Sequence, residues 1–201
     1  MITISNARFD DIDDIVSLHN EVFAGFFLTS LGGKFLMELY SGFTTIPGGV
    51  MLIARDGAKL VGFAAGTTDP LRFFPSLRRQ RGFFFFLKAL PAVLRNPVPV
   101  VRRLFAGLFY RGDAPQHQVS GALLSSIGVA SEQRGNGLAD RLLYSFEREV
   151  AKYGSRQVYL TTDADHNERV NTFYRKNGYK LDSQYKQGNG RLMYRYIKNL
   201  E

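Results

Sequence analysis

The residues best placed to do chemistry follow a run of strand character. Ala122 to Ala130 (ALLSSIGVA) leads directly into Ser131-Glu132-Gln133-Arg134-Gly135-Asn136-Gly137-Leu138-Ala139. A strand that enters a glycine-containing loop, which then opens a helix, aims several unpaired backbone N–H groups at one spot, together with the positive end of the helix dipole. Gly135 and Gly137 permit backbone conformations and a close ligand approach that a side chain would block. Arg134 adds a cation beside them. The chemistry this suits is anion binding, and most naturally a diphosphate. Glycine turns between strand and helix also occur as plain connections. Two well-known phosphate loops do not fit: the sequence here has neither Gly-x-Gly-x-x-Gly nor a Gly-x-x-x-x-Gly-Lys-Ser/Thr stretch.

A second cluster lies downstream, from Asn167 through Glu168-Arg169-Val170-Asn171-Thr172-Phe173-Tyr174-Arg175-Lys176-Asn177-Gly178 to Tyr179. By itself the Phe173-Tyr174 pair reads as aromatic core on a helix. Taken together, the two clusters resemble the GCN5-related N-acetyltransferases (GNAT). Arg134-Gly135-Asn136-Gly137-Leu138-Ala139 matches that family's Arg/Gln-x-x-Gly-x-Gly/Ala signature. The second cluster is similar to its Asn-x-x-Ala-x-x-Phe-Tyr-x-x-x-Gly-Phe motif, with a helix and a strand between the two. The resemblance covers residues 119–198 closely and 1–69 in outline.

The resemblance implies a donor, acetyl-CoA, and a set of roles. The backbone around Ile127, Gly128 and Val129 would pair with the pantetheine arm, as a strand pairs with a sheet edge. The N–H groups from Arg134 through Gly135, Asn136, Gly137, Leu138 and Ala139 would hold the pyrophosphate. Asn167 would hydrogen-bond the cofactor arm, and Tyr174 would protonate the departing thiolate. An N–H near Val129 would stabilise the tetrahedral oxyanion. The acceptor expected is a primary amine of a small molecule, sugar-linked or anionic by the character of residues 70–118 alone, with a protein N-terminus or lysine and an O-acceptor left open. Two positions depart from the pattern. Val170 replaces the motif alanine, and Asp140 puts an acid in the first helical turn, where it would repel a phosphate unless turned away or offset by Arg141. No general base stands out; Glu21, Asp163 and His117 are candidates by residue type alone.

Around these clusters, apolar spacing predicts the supporting elements. A strand at Ile2 to Ser5 precedes a helix carrying Ile12, Ile15, Val16, His19, Val22 and Phe23 on one face. A second helix carries Leu31, Phe35, Leu36, Leu39, Tyr40 and Phe43 and stops near Pro47-Gly48-Gly49. Val50 to Ala54 and Leu60 to Ala65 form a hairpin across Arg55-Asp56-Gly57-Ala58. A helix from about Gly137 to Tyr153, a strand at Gln157 to Thr162, and a helix at Glu168 to Asn177 capped by Gly178 come next. A closing hairpin pairs Tyr179 to Tyr185 with Arg191 to Lys198. The expected fold class is α/β: a mixed, mostly antiparallel sheet flanked by helices, in one acyltransferase domain spanning 1–201.

Composition bounds the rest. The 201 residues include 45% hydrophobic and 22% charged, which is a globular balance. Zero cysteines exclude disulfides, thiolate metal sites and a cysteine nucleophile. Three scattered histidines (His19, His117 and His166) point to no metal centre. The acidic N-terminal stretch does not read as a signal peptide, and no apolar run is long enough to span a membrane, so a cytoplasmic protein is expected. The net charge of +8 is local. Between Asp69 and Asp113 lie nine basic residues and no acidic ones, with Phe73, Phe74, Phe83 to Phe86, Phe105, Phe109 and Tyr110 interleaved. Residues 70–118 therefore read as an insertion, with Pro91, Pro97 and Pro99 arguing against one long helix. Three uses compete for it: a helical flap packed on the domain, a lid whose arginines hold an anionic or sugar-linked acceptor, and a basic amphipathic segment resting on a membrane surface. Interleaved arginines and aromatics also suit nucleic acid. Confinement of the charge to an insertion, and the lack of any recognised nucleic-acid motif, weigh against that use. A CoA-binding fold without catalysis is the remaining alternative.

Overall fold

The computed structural model describes residues 1–95, 119–187 and 190–200. In chain order these form β1 (Ile2–Asn6), α1 (Ile12–Val22), a single helical turn α2 (Phe27–Ser30), α3 (Gly33–Thr45), β2 (Gly49–Asp56) and β3 (Lys59–Thr67). The chain continues with α4 (Pro70–Arg95), β4 (Ala122–Val129), α5 (Leu138–Lys152), β5 (Gln157–Asp163), α6 (Glu168–Lys176), β6 (Lys180–Lys186) and β7 (Leu192–Asn199). The strands make one sheet in the order β1-β2-β3-β4-β5-β7-β6, antiparallel throughout except where β4 meets β5. This is the α/β arrangement expected from the apolar spacing. The turn α2, which carries no buried residue, had no sequence signal.

Side-chain alternation along β3 sets the layers. Phe63 points toward α1 and α3, where its ring meets those of His19 and Tyr40. Gly62 and Gly66 face α5, where an added Cβ would lie 2.8 Å from Leu142 and 2.5 Å from Phe146. Helices α1 and α3 thus cover one face and α5 the other. Each buries one stripe: Ile12, Ile15, Val16, Leu18 and His19 on α1, and Leu138, Leu142, Leu143, Phe146 and Val150 on α5.

The register between β3 and β4 shifts partway along the pair. Ala65 pairs with Ser126 and Gly66 with Leu124, leaving Ser125 as an extra residue that bends β4. Gly66 makes this possible, because a Cβ there would sit 2.2 Å from the Leu123 carbonyl oxygen. Gly66→Ala must therefore push the strands apart or displace Phe146, an overpacking cost of about 3 kcal/mol that lowers the melting temperature by roughly 6–12 °C. A thermal melt within 2 °C or so of wild type would mean that the bulge tolerates the methyl group.

Residues 70–95 form one helix of 26 residues that runs through Pro75 and Pro91, contrary to the expectation that prolines would break the segment. Its start is well made: Pro70 occupies the first helical position, and the Asp69 carboxylate accepts the Arg72 N–H at 3.1 Å. The lost proline hydrogen bonds are offset by a buried stripe of Phe73, Leu77, Phe85 and Ala89. Phe73 stacks on Phe43 at 4.9 Å and Phe85 meets Phe35 at 4.9 Å, so this part of the segment belongs to the main core. Arg102, Arg103, Arg111, Phe105, Phe109, Tyr110, Pro97 and Pro99 lie outside the described residues.

Candidate functional site

Strands β4 and β5 pair in parallel only at Ala122–Val158 and Leu123–Tyr159. Beyond Leu123, where the bulge bends β4, the two strands part. Between them opens a cleft of about 790 Å³, lined by Leu124 to Val129 on β4 and Leu160 to Asp163 on β5. β4 stays paired to β3 as far as Val129, so only its β5-facing edge lacks a strand partner. Backbone groups on such an edge are ready to bond an extended ligand. Ile127, Gly128 and Val129 all lie on this wall.

The loop after β4 closes one end of the cleft. Gln133 and Arg134 N–H groups turn back to the Ala130 and Ser131 carbonyls at 3.0 and 3.3 Å, which commits the Arg134 N–H internally. Gly135 and Gly137 then take φ of 83° and 73°, left-handed conformations in which a β-carbon is strained. Gly137 caps α5 without a side-chain bond, and the first return bond is Arg141 N–H to Gly137 C=O at 3.1 Å. The amides of Leu138, Ala139 and Asp140 are thus left without intrahelical acceptors. An added Cβ at Gly135 or Gly137 would meet no protein atom within 4 Å. Gly135, Gly137, Leu138 and Ala139 line the cleft, with the cations Arg134, Arg169 and Lys176; Asn136 does not, its amide leaning on Gln133 at 3.5 Å. Asp140 accepts from Asn177 Nδ2 at 2.9 Å, which occupies its carboxylate toward the end of α6. Arg141, an expected counter-charge to Asp140, instead donates to the Ile2 carbonyl at 3.0 Å.

Helix α6 supplies the other wall. Asn167 precedes it and donates from Nδ2 to Thr162 Oγ1 at 2.8 Å and to the Asp163 carbonyl at 3.0 Å, fixing the helix to the end of β5. Tyr174 lines the cleft while only 6% exposed, with Phe173, Tyr179 and Tyr196 rings at 5.2, 5.7 and 6.0 Å. Burial pushes its phenol pKa upward, so the group carries its proton at neutral pH.

Of the bases suggested by residue type, Asp163 is held by Arg191 at 2.6 and 2.9 Å, and Glu21 accepts the Ser131 hydroxyl at 3.1 Å outside the cleft lining. His117 lies outside the described residues. The residue that spacing hid is His19, which read as one more member of the apolar face of α1. It lines the cleft at 2% exposure; its Nδ1 meets the Tyr40 hydroxyl at 2.6 Å, and Nε2 is buried with no partner among the described residues. The Ser126 side chain lies near Tyr40 and offsets part of the upward push that burial gives the Tyr40 phenol.

Burial lowers the His19 pKa to about 4. A depressed folded-state value means that between about pH 4 and 6.5 the unfolded chain binds the extra proton, so His19's share of stability is whole above 6.5 and lost as pH falls through 4. The shift corresponds to about 3 kcal/mol across that window. His19→Gln should flatten the fall in melting temperature between pH 6.5 and 4; an unchanged slope would assign the loss to other groups. Among the described residues, no cluster of three or more His, Asp or Glu side chains is arranged to hold a metal ion. None of the described residues of α4 lines the cleft, and Arg81 is engaged by Glu38 at 2.8 Å.

Comparison with known proteins agrees with this geometry. Residues 105–179 match the family model described as the acetyltransferase (GNAT) family. Similar solved structures include an acetyltransferase of the GNAT family from Desulfovibrio desulfuricans, 14% identical over 99% of both chains with a TM-score of 0.63. An aminoglycoside 6'-N-acetyltransferase complexed with coenzyme A is 19% identical over 98% of this chain and 96% of that one, with a TM-score of 0.63. The ribosomal-protein-S18-alanine N-acetyltransferase from Escherichia coli is 14% identical over 99% and 94%, with a TM-score of 0.59. At such identities the likeness is one of fold. A comparison with curated protein sequences gives no match.

Proposed function

We propose that this chain is an acyltransferase of the GNAT kind, whose family model matches residues 105–179, and that its cleft binds acetyl-CoA and transfers the acetyl group to a primary amine of a small molecule. The observation that carries this is the joining of two features in one cleft: an unpaired β4 edge, and a helix start at Gly137 whose amides have no side-chain cap. The residues suit the donor. A diphosphate fits the amides of Gly135 to Ala139, with Arg134, Arg169 and Lys176 nearby to favour its charge. An extended amide-bearing arm fits the edge at Ile127 to Val129, with Asn167 near its far side.

In the proposed reaction the acceptor nitrogen attacks the thioester carbon, the carbonyl electrons move to oxygen, and an N–H near Val129 stabilises that charge. When the C–S bond breaks, the thiolate takes the proton of Tyr174. Holding both reactants in a narrow cleft supplies much of the remaining acceleration. Thiol release from acetyl-CoA in the presence of amines tests the reading directly. The chain has no cysteine, so a thiol reagent sees only product. No release with any primary amine, by protein that binds the donor, would leave a CoA-binding fold without catalysis.

A second surface supports a further role. On α4, Phe83, Phe86 and Leu94 are 70, 68 and 76% exposed, and exposed Leu87 and Leu90 complete the same stripe, with Arg72 and Arg79 toward its start. No helix of the described residues is long and apolar enough to cross a membrane. A peripheral contact fits instead, with the rings entering the interface and the arginines meeting anionic headgroups. Sedimentation with phosphatidylcholine vesicles containing phosphatidylglycerol should carry the protein down, and Phe83→Ser with Phe86→Ser should release it. Protein that stays in solution with such vesicles would leave the stripe without this role.

A further inference from the structure

We propose that His19 is the general base for an acceptor amine carried on an apolar stem, with the proton passing on through Tyr40 and Ser126. This rests on the acetyltransferase reading of the cleft. The buried Nε2 has no hydrogen-bond partner among the described residues, on a ring that lines the cleft. A buried polar atom without a partner calls for a ligand. Among the described side chains of the cleft, the other groups that could take a proton are occupied: Asp163 by Arg191, and Asp140 by Asn177. The wall around His19 is apolar, made of Val22, Phe23, Phe26, Phe27 and Leu28 from α1 and the turn after it. An aromatic or aliphatic stem packs there with its amine toward Nε2.

A buried imidazole holds an extra proton badly, since its surroundings are the rings of Phe23, Tyr40 and Phe63 and burial alone displaces its titration. It works by relaying the proton rather than storing it. The amine nitrogen forms its bond to the thioester carbon and becomes cationic. Nε2 then takes one of its protons while Nδ1–H gives its own to the Tyr40 oxygen, 2.6 Å away. The Tyr40 O–H passes a proton to Ser126, whose hydroxyl lies in the same cleft and releases one to water. The balance is one proton lost by the amine to solvent and one given by Tyr174 to the thiolate, with Tyr174 regaining its proton from solvent, leaving amide and free CoA thiol.

The test uses 2-phenylethylamine and tryptamine as acceptors, with thiol release as the rate and calorimetry as the donor-binding control. Wild type should acetylate both. His19→Gln should lower kcat by about 10²-fold or more while binding acetyl-CoA as wild type does. Tyr40→Phe, which keeps the ring and cuts the relay, should lose rate at unchanged donor affinity, and serves if His19→Gln fails to fold. Plotted against free-base amine, the wild-type rate should hold down to about pH 5 and fall as the imidazole protonates near 4; His19→Gln should lack that limb. The nitrogen NMR signal of Nε2 should move when amine is added to the protein with CoA bound. Wild type that binds acetyl-CoA yet acetylates neither amine, or variants that keep wild-type turnover, would overturn the proposal. Failure of wild type to bind acetyl-CoA would sink the acetyltransferase reading itself.

Discussion

Tyr174→Phe is expected to lower turnover by about 10²–10⁴-fold with donor affinity nearly unchanged. The change removes one hydroxyl and keeps the ring, so packing against Phe173, Tyr179 and Tyr196 survives. No protein hydrogen bond is lost, because the Tyr174 hydroxyl makes none among the described residues, and folding stability should hold. What is lost is a proton donor. In water a phenol, at about 10, is a weaker acid than a thiol, at about 8.5, so transfer to a thiolate is slightly uphill. Burial raises the Tyr174 phenol further. The same dry cleft disfavours the thiolate as it forms, which restores the match between donor and leaving group. Turnover within a few-fold of wild type would remove Tyr174 from the chemistry and leave it as a wall of the cleft.

Gly137→Val is expected to weaken acetyl-CoA binding by about 100-fold or more, the second large effect. Two costs act together. At φ 73° a β-branched residue is a backbone outlier, worth about 1–2 kcal/mol. Its side chain would also project into space free of protein atoms, where the diphosphate would lie. The first cost appears as a modest loss of thermal stability, and the second only as lost affinity. Gly137→Ala separates them, since it carries most of the strain and little of the bulk. Equal, small losses of affinity for Ala and Val would place the diphosphate elsewhere.

Much of the fold could be read from the chain because the governing patterns are local. The i, i+4 run of Leu138, Leu142, Phe146 and Val150 marks α5, and all four are buried. The Asp56-Gly57 turn marks the β2–β3 hairpin, whose two-residue loop leaves Asp56 paired with Lys59. The glycine loop before α5 was equally legible, since its backbone geometry depends on residue type at two positions. Other features depended on tertiary contact. Pro91 read as a break, yet the helix runs through it and through Pro75, because Phe73 and Phe85 find aromatic partners on α3 that hold it together. The bulge at Ser125, which opens the cleft, depends on how closely Gly66 approaches Leu123 and leaves no mark in the β4 sequence. His19 looked like an apolar-face residue because it is one. Only the fold brings Tyr40, 21 positions away, to one ring nitrogen and leaves the other without a partner among the described residues, on a ring that lines the cleft.

The central claim is that the cleft between β4 and β5 takes acetyl-CoA with its diphosphate on the start of α5. Calorimetric titration of the protein with acetyl-CoA, repeated on Gly137→Val, tests it most directly. Saturable binding with one site per chain and a Kd in the micromolar range, weakened by the substitution, is the predicted result. No heat of binding with acetyl-CoA or CoA, or binding indifferent to Gly137→Val, would contradict it.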